Sequence, residues 1–253
     1  VSDDARRYDY DRDGRRYAGQ RCADARIAQR IHAALGDART VLNVGAGAGS
    51  YEPEDRYVVA VEPSAAMRRQ RPSHLPPALI GTADALPFDD GAFDASMAIL
   101  TVHHWPDPIA GVRELRRVTR GPVVVMTFDS DAPTAFWMFD YVPEMAEVER
   151  RRYPSPRVLA AALGGTHELR PVPVAHDCTD RFQVALYARP EAFLDDAVRA
   201  AQSSWRYLPP GVEARFVDAL RRDLASGAWE RRYGALRAQP EIACQLRLLV
   251  ARP

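Results

Sequence analysis

The chain has 253 residues, 34 basic against 34 acidic, and 47% of them are hydrophobic. That is enough to build a full core in one large α/β domain, with or without a cap, so folding needs no disulfide framework. The balanced charge offers no field that favours nucleic acid or an anionic membrane surface, which leaves a small molecule as the expected partner.

The opening "VSDDARRYDYDRDGRRY" is too polar for a signal peptide, and no apolar run approaches the ~20 residues of a membrane span, so a cytoplasmic protein is expected. Residues 1–36 read as a helical lid: "RCADARIAQRIHAAL" sets Ile27, Ile31, Ala34 and Leu35 near helical spacing, and Gly36 supplies a stop. Next comes "TVLNVG", short and apolar on both faces, as a central parallel strand would be. Strand-like runs follow at 57–64, 78–81, 93–100 and 122–128, separated by helical or turn material. Before the last of them, "DPIAGVRELRRVT" spaces Ile109, Val112, Leu115 and Val118 along one face of a crossover helix, with arginines on the solvated face.

This alternation predicts an α/β fold with a doubly wound, mostly parallel sheet of seven strands. Residues 37–128 form its cofactor-binding core. After Phe128 the rhythm breaks into an aromatic-rich, proline-interrupted stretch, expected to be a helical cap inserted after the fifth strand over 129–180. There Phe136, Trp137, Phe139 and Tyr141 either line a pocket or hold the cap together. The remainder, 181–253, is expected to complete a single domain, with a strand at 181–188, helices near 191–201 and 212–226, and a closing strand at 245–251.

The three cysteines, Cys22, Cys178 and Cys244, are odd in number and widely spaced, matching neither a disulfide framework nor a zinc pattern. Every positively charged side chain other than histidine is arginine, which excludes Schiff-base and other lysine chemistry.

Gly45, Gly47 and Gly49 lie at the first strand-to-helix turn. In a doubly wound sheet that turn sits where ligands bind, and glycine lets the backbone turn sharply and approach a ligand closely. The pattern is GxGxG, one residue short of the GxGxxG dinucleotide fingerprint. Glu62 ends the second strand, where a carboxylate can accept from both ribose hydroxyls of an adenosine. Asp84 follows the third, positioned to accept from an adenine amino group.

In succession, "VLNVGAGAGSYEP", "VVAVEPSAAM", "TADALPFDDGAFDASMAILTVHHWPDP" and "ELRRV" resemble the class I S-adenosylmethionine-dependent methyltransferases, in particular their type 11, ubiquinone/menaquinone-like small-molecule branch. The resemblance covers about residues 40–128 and implies a Rossmann-like methyltransferase fold. It implies S-adenosyl-L-methionine as cofactor, with S-adenosyl-L-homocysteine as product. Carried over residue by residue, cofactor binding falls on Gly45, Ala46, Gly47 and Gly49 in the loop, on Glu62 and Pro63 for the ribose, on Ala83, Asp84 and Ala85 for the adenine, and on Leu100 near the transferable methyl. Many relatives have aspartate where Asn43 and Glu62 stand; the first departure keeps a polar group and the second lengthens the acid.

The resemblance further implies that the leading segment folds across the cofactor. Tyr8, Tyr17 and Arg21 lie in that segment, and Tyr17 or Arg21 would then meet the methionine carboxylate, a plain surface arm being the alternative. His103 and His104, in "TVHHWPDP", are the candidate catalytic residues, either as a base that takes the acceptor's proton or as loop residues that shape the pocket. Two adjacent histidines lack a third ligand, so no metal is expected. The activity expected is methyl transfer to an O, N or C atom of a small-molecule acceptor. A nicotinamide-dependent oxidoreductase on a similar sheet, or a noncatalytic cofactor binder, is the alternative, and the oligomeric state leaves no mark in the sequence.

Overall fold

The computed structural model describes residues 9–14, 19, 21–132 and 136–253. Tyr8 and Tyr17 lie outside them. The chain divides into two compact units. The first comprises Ala23–Ala132, Arg152–Val172 and Gln245–Pro253, and the second Val1–Cys22, Pro133–Arg151 and Pro173–Cys244.

A short helix, α1 (Tyr10–Asp13), precedes α2 (Ala25–Ala34), which begins where the Asp24 carboxylate accepts the Arg26 N–H and stops before Gly36 at a φ of 62°. In the first unit there follow β1 (Thr40–Val44), β2 (Tyr57–Val61), α3 (Ala65–Arg69), β3 (Ala95–Ile99), α4 (Pro108–Arg117) and β4 (Val123–Phe128). The second unit contains α5 (Met138–Tyr141) and most of α6 (Pro143–Arg152). The chain then returns to the first unit for α7 (Pro156–Leu163) and β5 (Thr166–Pro171). Next, in the second unit, come β6 (Val174–Ala175), α8 (Asp196–Ala200), α9 (Val212–Ala225), α10 (Ala228–Tyr233) and β7 (Glu241–Ile242), before β8 (Leu246–Arg252) closes the first.

The main sheet has six strands in the order β2-β1-β3-β4-β8-β5, all parallel except β8. The expected third strand, 78–81, is a single parallel bridge from Leu79 to Val61, at the free edge of β2. Prolines 76 and 77 precede it without donors to a ladder, and Ile80 is 75% exposed. One face of the sheet, with Leu42, Val44, Ala98, Val123, Val125 and Leu249, shares a core with Val112 and Leu115 of α4 and Leu159 and Leu163 of α7. The alternate residues Val41, Asn43, Met97, Val124, Met126 and Leu248 are buried too, as a sheet covered on both sides requires.

Three expectations beyond β4 differ from the structure. Residues 181–188 form no strand: Gln183–Leu186 is a 3-10 turn with every residue buried. A short apolar run carries no periodicity to separate the two outcomes. Residues 166–171, inside the expected cap, form β5, a mostly exposed polar edge strand whose pattern conceals it. The expected cap is therefore interrupted, with 152–172 in the first unit, and most of the expected C-terminal remainder, 181–244, lies in the second.

The second unit is built around aromatic side chains. Trp137 packs edge-on against Phe193, Trp229 and Tyr141, and Phe216 meets Phe193 and Trp205. Trp137 Nε1 donates to the Tyr187 carbonyl at 2.9 Å, which satisfies the polar end of this buried indole. Phe136 and Phe139 are buried with it, and Tyr141 donates its hydroxyl to Asp223 at 2.6 Å.

Candidate active site

Parallel strands end at a common edge, and the first unit gathers its functional groups at the C-terminal ends of β1, β2, β3 and β4. After β1 the chain turns on Gly45, Gly47 and Gly49, all at positive φ. At Gly45 the absence of a side chain is obligatory, because a Cβ would fall 2.0 Å from Thr101 Oγ1 at the end of β3. The Gly45 and Ala46 N–H groups both donate to the Val61 carbonyl, at 2.9 and 3.1 Å, tying the loop to the end of β2.

Glu62, one residue further, is 6% exposed. Its Oε2 accepts the Gly47 N–H and its Oε1 the Ser64 N–H, each at 2.8 Å. The carboxylate therefore fixes the glycine loop and the start of α3 together, with the charged oxygens making the stronger class of hydrogen bond. Arg68 clamps the carbonyls of Glu62 and Pro63 at 2.7 and 2.6 Å.

Beneath the loop lies a network that sequence reasoning missed. Asn43 Nδ2 donates to Glu52 Oε1 at 2.8 Å, and Arg71 grips both Glu52 oxygens at 3.0 and 2.8 Å, with the Arg71 and Glu52 side chains 3% and 1% exposed. A signal was present: an amide where relatives carry an acid implies a carboxylate close by.

The turn holding Ala83, Asp84 and Ala85 follows the Leu79 bridge. Ala83 is buried, whereas Asp84 and Ala85 are exposed. The turn is held from α4: Glu114 accepts the Leu86 N–H at 3.0 Å, and Arg117 donates to the Leu86 and Phe88 carbonyls at 3.0 and 2.8 Å. The Arg117 guanidinium, at 2.6 Å, keeps Glu114 below the usual carboxylate range. These two residues of "ELRRV" thus act as anchors, a role their sequence position does not reveal.

At the end of β3, Leu100 adopts a φ of 53°, a costly conformation for a non-glycine residue, and its N–H donates to the Met126 carbonyl at 2.8 Å. The 3-10 turn Val102–His104 follows. The His103 ring lies 3.9 Å from that of His104 and 4.2 Å from that of Tyr153, tilted by 30° to the tyrosine, and Phe128 meets Tyr153 edge-on at 5.4 Å. Tyr153 was not identified from sequence. Trp105 packs on Gly111 of α4, where a Cβ would stand 2.4 Å from its ring and 3.1 Å from Ala83.

The structure thus brings together Gly45, Ala46, Gly47, Gly49, Glu62, Pro63, Ala83, Asp84, Ala85, Leu100, His103 and His104 on one unit, at one sheet edge. Arg21 belongs to the second unit, where it pairs with Asp180 and lies over the Phe182 ring. Among the described residues no group of three or more His, Cys, Asp or Glu side chains could hold a metal, and no helix is long and apolar enough to cross a membrane. A hollow of about 410 Å³ lined by Arg39, Asp94, Pro122 and Arg252 lies at the opposite, N-terminal edge of the strands.

A methyltransferase domain model matches residues 42–126. The crystal structure of a protein described as a methyltransferase from an antibiotic biosynthesis pathway of Anabaena variabilis superimposes with a TM-score of 0.84 at 30% identity, covering 92% of this chain and 98% of that one. An uncharacterized methyltransferase of Mycobacterium tuberculosis is 38% identical over 89 residues, 33% of this chain and 36% of its own length. A demethylmenaquinone methyltransferase of Mycolicibacterium gilvum is 36% identical over 111 residues, 42% of this chain and 49% of its own length. The chain therefore spans between a third and a half of the length of these two curated relatives.

Proposed function

Because the chain belongs to the class I S-adenosylmethionine-dependent methyltransferases, we propose that it moves a methyl group from S-adenosylmethionine to an O, N or C atom of a small organic acceptor. The observation that carries the reading is the lock between Gly47 and Glu62, which joins a close-approach glycine loop to a strand-end carboxylate.

The residues fit the cofactor. Gly45, Ala46, Gly47 and Gly49 offer backbone without side chains in the way for its amino-acid and ribose parts. Glu62, with Pro63 beside it, would accept from the ribose hydroxyls, and Asp84, flanked by Ala83 and Ala85, from the adenine amino group. When bound, S-adenosylmethionine supplies a methyl on a positively charged sulfur, an electrophile that needs no further activation. The protein's task is then to orient the acceptor and exclude water. Leu100 contributes an apolar wall at the end of β3. His103, its plane fixed between His104 and Tyr153, orients the acceptor, and a histidine nitrogen receives the proton where the acceptor atom carries one.

A small acceptor is supported by the charge balance of the chain and by the description of the Anabaena relative as belonging to an antibiotic pathway. Isothermal titration of the full chain with S-adenosylhomocysteine tests the cofactor half. Saturable binding is expected, weakened roughly 10- to 100-fold in Glu62→Ala by the loss of charge-assisted hydrogen bonds. Absence of binding by the folded parent protein would refute the reading.

A further inference from the structure

The main sheet ends at β5, and the direction of that strand's backbone groups follows from the ladder. The Asp129 N–H donates to the Gln245 carbonyl at 2.8 Å and the Val172 N–H to the Leu246 carbonyl at 3.0 Å. The even-numbered residues of β8 therefore face β5, and the even-numbered residues of β5 face β8. His167 and Leu169 direct N–H and C=O away from the sheet, as Pro171 directs its C=O. Among the described residues nothing hydrogen-bonds to these groups. Such a row of open donors and acceptors is a template for another strand.

The side chains decide which strand fits. Leu169 packs against the core shared with α4 and α7, whereas Glu168 and Arg170 stand exposed on the opposite face, Arg170 Nε donating to Glu168 Oε2 at 2.7 Å. A two-fold axis through Leu169 would lay Glu168 of each copy directly opposite Arg170 of the other. Those positions make non-hydrogen-bonded pairs, the class in which facing residues come closest, with Cα atoms about 4.5 Å apart. Leu169 would exchange both backbone bonds with its counterpart, and each His167 N–H would reach the Pro171 carbonyl of the other copy. Only the His167 carbonyl, opposite a proline without an N–H, would be left to water. Moving the axis one residue either way sets Glu168 against Glu168 or Arg170 against Arg170. An axis between residues sets an outward-facing group opposite an inward-facing one.

We propose that the chain pairs with a second copy of itself through β5, joining two six-stranded sheets into one across a two-fold axis. Charges on an edge strand deter indiscriminate pairing, and this spacing admits a strand that mirrors it. The other edge of the sheet does not compete, because beside β2 the Leu79 N–H and C=O are already bonded to Ala60 and Glu62, and prolines 76 and 77 offer no donors. A self-complementary contact of this kind closes at two copies. The proposal does not depend on the methyl-transfer reading.

Sedimentation velocity of the full chain between about 1 and 100 μM is expected to show a dimer. Amide exchange followed by NMR should find His167 and Leu169 protected in it, Glu168 and Arg170 being protected by β8 in either state. Glu168→Arg and Arg170→Glu each set like charges across the axis and should weaken association roughly 10- to 100-fold. Mixed in equal amounts, the two variants should bind each other more tightly than either binds itself, since one strand is then positive at both positions and the other negative at both. Recovery in the mixture also shows that both variants are folded. A parent chain that stays monomeric over that range, charge variants that associate as tightly as the parent, a mixture that gains nothing over its parts, or a dimer in which the His167 and Leu169 amides exchange freely would overturn the proposal.

Discussion

Replacing Asn43 by aspartate restores the residue many relatives carry, yet it is expected to destabilise this chain strongly at neutral pH. Asn43 is 2% exposed and its amide donates to Glu52 Oε1 at 2.8 Å. An aspartate oxygen at that distance would set two carboxylates against each other, a repulsion of about 6 kcal/mol at an effective dielectric of about 20. Protonation offers a cheaper outcome. Holding a carboxyl of ordinary pKa about 3.9 neutral at about pH 7 costs about 4 kcal/mol, and the neutral acid again donates to Glu52. The penalty is thus capped near 4 kcal/mol, and it depends on pH in a defined direction. The new group's folded pKa is raised above its unfolded one, so the penalty is absent below the unfolded pKa and grows as pH rises towards the folded value. At about pH 5 only about 1.5 kcal/mol remains. Urea unfolding of parent and variant at the two pH values measures both figures, and Asn43→Asp combined with Glu52→Gln should recover most of the neutral-pH loss. A variant as stable as the parent at neutral pH, or a deficit independent of pH, would refute the electrostatic account.

Gly45→Ala is expected to abolish the thermal shift produced by S-adenosylhomocysteine, since the φ of 70° alone costs about 1–2 kcal/mol and the new Cβ would stand 2.0 Å from Thr101 Oγ1; partial recovery in a Thr101→Gly background would identify the clash as the cause. Glu62→Asp shortens the acid so that it cannot span the Gly47 and Ser64 N–H groups; the donor left unpartnered should cost about 1–3 kcal/mol in urea unfolding, and titration calorimetry should report weaker cofactor binding. Trp137→Ala removes a side chain that is 2% exposed and leaves the Tyr187 carbonyl without its 2.9 Å donor, a loss of about 3–5 kcal/mol read from the urea midpoint. Asp94 is held well below the usual carboxylate range, first by Arg120 and then by Thr40, so its contribution is present at neutral pH and lost as pH falls through the depressed folded value. The Asp94→Asn variant should therefore be less stable than the parent at neutral pH and converge with it in acid.

That the candidate cofactor segments share one sheet edge was legible because each is a short segment at a strand end. Three alternating glycines, an acid closing β2 and an acid after the Leu79 bridge lie in chain order, and a parallel sheet delivers such segments to one edge without further information. Asp94 has a structural part beside them, accepting the Arg39 and Thr40 N–H groups at the start of β1. The supports were hidden because their partners are remote: Arg71 meets Glu52 across 19 residues, and Glu114 reaches Leu86 across 28. Neither spacing has a local signature. The same holds for Tyr153, which reaches His103 only after the excursion through α5 and α6. The second unit resisted for another reason. Outside the amphipathic α9, whose helix was expected at 212–226, it is made of 3-10 turns and short helices, and a segment such as Gln183–Leu186 buries every residue and so shows no 3.6- or 2-residue period to read.

The two departures from the family pattern look conservative in sequence and are specific in structure. An amide at position 43 is the form that can donate to Glu52, and Glu52 in turn neutralises the buried Arg71, which also donates to the Pro76 carbonyl at 2.8 Å before the Leu79 bridge. The longer acid at position 62 reaches the Gly47 and Ser64 N–H groups at once, so that one side chain sets the loop and the first turn of α3. In both cases a side chain one would assign to ligand chemistry also carries backbone geometry. Substitutions there cannot be read from binding alone. A loss of cofactor affinity in Glu62 variants reports the missing carboxylate only if the glycine loop keeps its place, so stability has to be measured beside affinity, and Gly45→Ala, which displaces the loop while keeping the Glu62 carboxylate, supplies the comparison.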